Sequence, residues 1–140
     1  MSANEAGTIG NVRTVISAEA AYQSASGGYY DLPACLYAPA PCLGASAPAT
    51  PFLSQESTVF DTPKMGYVLR FHPGRAATAA GATTVSASAI ESYAVTAEPV
   101  STSTGIRTFC GDASGIVCAM SATDHQASGG TCPESCVPLR

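Results

Sequence analysis

A chain of 140 residues is one domain's worth, and its core must be thin, because Ala supplies 25 residues against 24 for Leu, Ile, Val and Phe combined. Six Lys and Arg against ten Asp and Glu leave a net charge of −4, which excludes a basic nucleic-acid binder, and 11% charged residues exclude a coiled coil. No run of about 18 apolar residues is present, so this stretch of chain does not span a membrane.

Asn4 to Ser24 reads as a helix. It holds no Pro, and Ile9, Val12, Ile16 and Ala20 recur at steps of three and four, with Val15 widening the stripe. Ser2 or Asn4 is placed to cap it, and Glu5 lies in the first turn, where the helix dipole favours a carboxylate. Gly27-Gly28 ends it. Ile9, Val12 and Ile16 are expected to pack on a sheet. The opposite face carries Ala, Ser, Thr and Gln, which suits either a loosely solvated surface or close packing against another copy.

Residues 27–64 form a helix-to-sheet loop rich in Pro, Ala and Ser with no sustained period. Tyr29, Tyr30, Leu32 and Leu36 are expected to anchor its ends, and a Cys35–Cys42 bridge would fold part of it into a lobe.

The period then changes to two. Four strands are expected near residues 65–72, 90–98, 106–111 and 115–120. The first puts Tyr67, Leu69 and Phe71 on one face, and the second puts Tyr93 and Val95 together. Arg75 to Ala89, an Ala/Thr/Gly/Ser tract, reads as a hairpin tip. Asp112-Ala113-Ser114-Gly115 reads as a type I turn with Gly115 left-handed, which sets Cys110 directly opposite Cys118.

Six cysteines at short local spacings, none of them Cys-x-x-Cys, point to disulfides and an oxidising compartment rather than a metal site. Cys35–Cys42, Cys110–Cys118 and Cys132–Cys136 is the simplest of several connectivities. Opposed strand residues have Cβ atoms about 4.5–5.5 Å apart, against about 3.5–4.5 Å in a disulfide, so Cys110–Cys118 needs some local twist.

No catalytic motif is present: no Gly-x-Ser-x-Gly, no His-Glu-x-x-His, no phosphate loop. His72 follows a strand, His125 lies in a polar tail, and Asp112 is explained by its turn. Asp124 and Glu134 are the acidic residues a calcium ion would use, but their spacing fits no EF-hand loop. No enzyme activity, cofactor or resident metal is expected.

The stretches Ser2 to Val15, then Glu19-Ala20-Ala21-Tyr22-Gln23 and Gly27-Gly28-Tyr29-Tyr30, resemble the C-terminal half and the end of the long helix of type IV pilins and type II secretion pseudopilins. Tyr93 to Pro99, Gly105 to Phe109 and Asp112 to Val117 resemble the sheet of such proteins. The resemblance covers roughly residues 2–120. It implies an α+β, pilin-like head, with the helix packed on a four-stranded antiparallel sheet: helix 1–26, loop 27–64, sheet 65–120 and Cys-bearing tail 121–140, all in one domain. The short leader and apolar helix start of the family's precursors have no match here, and Glu5 is not the family's helix-start Glu. The resemblance therefore implies a soluble head without the hydrophobic first half of its helix. It implies a structural subunit of a pilus or pseudopilus filament, its partners being other copies of itself and an inner-membrane assembly machinery. Its location would be an extracellular filament or the periplasm, with a membrane-anchored precursor. The alternative is a secreted, disulfide-stabilised adhesin or binding module.

Overall fold

The computed structural model describes residues 2–77, 86–121, 127 and 129–139. Helix α1 runs Ser2–Ala25. Two short helices follow, α2 (Pro33–Tyr37) and α3 (Ala40–Leu43), then a 3-10 turn at Gly44–Ser46. The strands are β1 (Tyr67–Pro73), β2 (Tyr93–Pro99), β3 (Arg107–Asp112), β4 (Val117–Ser121) and β5 (Val137–Pro138). They form one antiparallel sheet in chain order.

Five strands stand where four were expected. The fifth comes from the tail, which returns along β4 and pairs Val137 with Ala119 and Pro138 with Cys118. Val137-Pro138-Leu139 is too short for a period-two signal. All four strands also start one to three residues later than expected, β3 at Arg107 and β4 at Val117. Met65 and Gly66 both have positive φ, so they form a turn and β1 begins at Tyr67. Ile90 makes isolated bridges to Tyr30 and Ala76, and β2 begins at Tyr93. Residues 78–85 of the expected hairpin tip lie outside the described residues.

Helix α1 lies across β1 to β4. Its seat is Gly111 on β3: a Cβ there would come within 2.7 Å of Ile16 Cδ1 and 2.8 Å of Val12 Cγ1. Only glycine lets the helix approach the strand this closely. The buried line of the helix runs Thr8, Val12, Val15, Glu19, Tyr22, with Ser26 just beyond. Ile9 and Ile16 are half-buried at the margin of that line, and Ala20 is exposed rather than on the stripe. The bulk of Tyr22 and its bond to Asp31 place the line there.

The helix-side core gathers Val12, Val15, Tyr22, Leu36, Tyr67, Leu69, Val95 and Phe109. A smaller cluster of Ala94, Cys110, Cys118, Met120 and Cys136 lies apart from it, with Cys132 and Ala127 packed against it. Cys110 and Cys118 alternate along their strands with Phe109 and Ala119 of the helix-side core, so they point to the opposite face of the sheet. The sheet is thus covered by the helix on one face and by the tail's cysteines on the other.

All six cysteines are oxidised, but the connectivity is only partly local. Cys35–Cys42 is bridged as expected. The other two bridges are Cys110–Cys132 and Cys118–Cys136, in place of Cys110–Cys118 and Cys132–Cys136. Cys110 and Cys118 are directly opposed in the β3–β4 ladder. The tail supplies nearer partners. Pairing of β5 with β4 brings Cys136 to Cys118, and the Cys132 amide donates to Asp112 Oδ2 at 3.0 Å, which places Cys132 beside Cys110.

Candidate functional site

Helix α1 turns one flank away from the sheet. Ala3, Ala6, Gly10, Thr14, Ser17, Ala21 and Ser24, at steps of three and four, are all exposed. The Thr14 hydroxyl donates to the Gly10 carbonyl at 2.9 Å, and the Ser24 hydroxyl to the Ala20 carbonyl at 3.3 Å. These hydroxyls spend their hydrogens within the helix. A Cβ at Gly10 would meet nothing within 4 Å. Arg13 is the only charged residue exposed on α1. The flank is smooth, shallow and nearly uncharged, unlike the Lys/Glu-rich face of an ordinary solvated helix.

Beneath the last turns of α1 lies a buried acid pair that the sequence did not suggest. Glu19 and Asp31 are both 0% exposed. The Asp31 amide donates to Glu19 Oε1 at 3.2 Å, while Glu19 Oε2 has no partner. The Asp31 carboxylate accepts from the Tyr22 hydroxyl (2.6 Å), the Ser88 hydroxyl (2.6 Å) and the Leu32 amide (2.8 Å). Burial, reinforced by the Asp31 charge and only partly offset by that backbone bond, pushes Glu19 up to about 8. Tyr22 is also raised, by burial and by its bond to Asp31. Burial raises Tyr93 too, with Glu19 adding to the effect. The pair ties the end of α1 to the start of the Cys35–Cys42 lobe. One signal was available: Glu19 falls four residues after Val15 and three before Tyr22, on the buried line.

At the other end, Glu5 accepts from Arg107 at 3.1 Å, and the Tyr67 hydroxyl donates to the Arg107 carbonyl at 2.9 Å. Arg107 also lies 5.1 Å over the Phe109 ring. Glu5 is therefore an anchor between the helix start and β3.

The loop lobe borders a cleft of about 420 Å³ lined by Pro33, Tyr37, Gln55, Val59, Phe60, Asp61 and Phe71. Phe60 and Phe71 meet edge to face at 6.0 Å, and Asp61 pairs with Arg70 at 3.0 Å on its rim. Of the loop tyrosines, Tyr37 donates to the Thr58 carbonyl at 2.6 Å, and Tyr30 packs edge-on against Tyr93. A groove of about 460 Å³ runs beside Arg107, Ala119, Val137 and Leu139 at the other sheet edge.

His72 bonds Thr96 Oγ1 at 2.7 Å, and burial lowers its pKa. No free thiol is present to pair with it. Asp112 is spent on its turn and on the tail: Oδ1 accepts from the Ser114 amide and hydroxyl, Oδ2 from the Cys132 amide. Glu134 is exposed, while Asp124 and His125 lie outside the described residues. Among the described residues two groups have the proximity of metal ligands, Cys110 with Cys118 and Cys132, and Asp31 with Cys35 and Cys42. Their sulfurs are all in disulfides, which offer no thiolate to a metal. Among the described residues no helix is long and apolar enough to cross a membrane. No family model, no curated protein and no solved structure matches the chain.

Proposed function

We propose that this chain is the head of a structural subunit of a type IV pilus or pseudopilus-like filament. The observation that carries the reading is the uncovered small-residue flank of α1 on a helix otherwise packed lengthwise over a sheet. Side chains no larger than Thr let helices approach closely along their length. The order of helix, disulfide-closed loop and antiparallel sheet agrees with the resemblance of residues 2–120. On this reading the partners are other copies of the chain and a membrane-bound assembly machinery, the subunit works outside the cytoplasm, and no residue performs catalysis. The reading also expects an apolar helical segment ahead of Ser2 in the gene product.

Photo-cross-linking tests it. Benzoylphenylalanine is placed at Ala6, Ser17 or Ala21 in cells making the protein from its own gene, with the exposed Ser46 of the loop as control. The expected result is a ladder of dimers, trimers and higher species in the sheared surface fraction for the helix positions alone. A ladder of equal strength from Ser46, or none from the helix, removes the reading.

The cleft between Tyr37, Phe60 and Phe71 favours a second reading, a secreted binding module. On that reading Phe60→Ala abolishes attachment to the target surface, and no helix-dependent ladder forms.

A further inference from the structure

We propose that the two C-terminal disulfides are an exchangeable pair that isomerises to Cys110–Cys118 plus Cys132–Cys136 and thereby frees residues 129–139 from the sheet. Three features place the alternative partners within reach. Cys110 and Cys118 are directly opposed across β3 and β4. The Sγ atoms of Cys110, Cys118 and Cys132 all lie within 4.8 Å of one another. A turn in which the Cys136 amide donates to the Pro133 carbonyl folds Cys136 back toward Cys132.

The exchange needs only a thiolate to start it, such as that of a small-molecule thiol like reduced glutathione. Cys132 is the entry point, because it is half-exposed while Cys110, Cys118 and Cys136 are buried. The external thiolate attacks Cys132 Sγ, forming a mixed disulfide and releasing the Cys110 thiolate. That thiolate attacks Cys118 Sγ, breaking Cys118–Cys136 and releasing the Cys136 thiolate. Cys136 then attacks Cys132 Sγ and expels the external thiolate unchanged. Two disulfides enter and two leave, with no net oxidation and no net proton.

Only the tail changes its attachment. In the present state its ties include two covalent links, two residues of β5 pairing, the Leu139 amide on the Val117 carbonyl, the Cys132 amide on Asp112 and the Ser92 hydroxyl on the Gly129 carbonyl. After exchange both bridges are local to their own segments, and only noncovalent contacts hold it. Loss of the tail uncovers the outer edge of β4, a row of unpaired backbone groups able to accept another strand.

The double variant Cys132→Ser/Cys136→Ser is the first test. Cleavage at Asp112, Met120 and Glu134 separates Cys110, Cys118, Cys132 and Cys136 from one another, so their bridges can be mapped by mass. The folded, oxidised variant is expected to carry Cys110–Cys118 and no titratable thiol. Two titratable thiols in a variant with wild-type circular dichroism overturn the proposal. If the variant does not fold, the wild-type chain decides. Incubated with catalytic reduced glutathione and quenched with acid, it is expected to accumulate Cys110–Cys118 and Cys132–Cys136 in equal amounts. Glu-C cleavage after Glu134 should accelerate by the same fraction. Persistence of the starting bridges alone, or exchange only to Cys110–Cys136 and Cys118–Cys132, overturns it.

Discussion

Glu19 is the side chain whose protonation the fold controls most strongly. Its carboxyl has an ordinary value of 4.5 and is pushed up to about 8 by burial beside Asp31. Between those two values the folded chain holds a proton that the unfolded chain has released. Stability from this group is therefore fully present below pH 4.5 and is lost as pH rises toward 8. The unfolding free energy from urea titrations should fall steadily from about pH 5 to pH 8, by at most about 1.4 kcal/mol per pH unit. Glu19→Gln, which keeps the shape and discards the charge, should flatten that slope and leave the variant the more stable protein at the upper end of that range. An unchanged slope in the variant would show that other groups cause it. Gly111 makes a second residue-scale prediction. Gly111→Ala drives a methyl into Ile16 and Val12, and a stiff β-branched Val12 yields little, so a loss of about 1–3 kcal/mol is expected by urea unfolding.

Elements were legible in the sequence where the residue types at one place settled the matter. The turn from Asp112 to Gly115 needs a side-chain acceptor at its start and a left-handed residue at its end. Gly115 has φ of 82° and donates its amide to the Asp112 carbonyl at 3.0 Å. The register that follows, Cys110 opposite Cys118, was readable from those four residues. The partner of each cysteine was not, because it depends on where a segment well further along the chain comes to rest. Two residues of β5 decide that, and two residues carry no period. The acid pair escaped for a related reason. A helical Glu is ordinarily solvated, and what buries Glu19 is a loop residue, Asp31, whose position no helical pattern encodes. Loop length also ranks the bridges. Cys35–Cys42 closes a separation of 7 and Cys110–Cys132 one of 22. Chain entropy makes the longer closure worth about 1 kcal/mol more. Replacing the Cys110–Cys132 pair with Ala should accordingly lower the urea midpoint further than replacing Cys35–Cys42.

For the whole molecule, the same small side chains that suit close helix packing give little drive to associate in isolation. Apolar burial is worth roughly 25 cal/mol per Å², and a flank of Ala, Gly, Ser and Thr has little such area to set against the entropy lost on association. The net charge of −4 adds repulsion between copies. The 140-residue chain alone is expected to scatter light as a 14.1 kDa monomer even at high concentration. Filaments formed by this chain unaided would place the assembly interface in the head itself.

The overlapping bridges of the tail also govern how the molecule behaves under tension. A chain pulled from Ser2 and Leu139 transmits load through the first covalent short cut it meets. The Cys35–Cys42 and Cys110–Cys132 links remove separations of 7 and 22 residues from the extensible contour. At about 3.5 Å per extended residue, they withhold about 100 Å of slack. Stretched by atomic force microscopy, the oxidised protein should rupture short by that length, and dithiothreitol should restore it. β4 lies entirely inside the withheld loop, with only the part of β3 from Cys110 onward, so a pull that strips away α1, β1, β2 and the start of β3 leaves β4 outside the covalent load path.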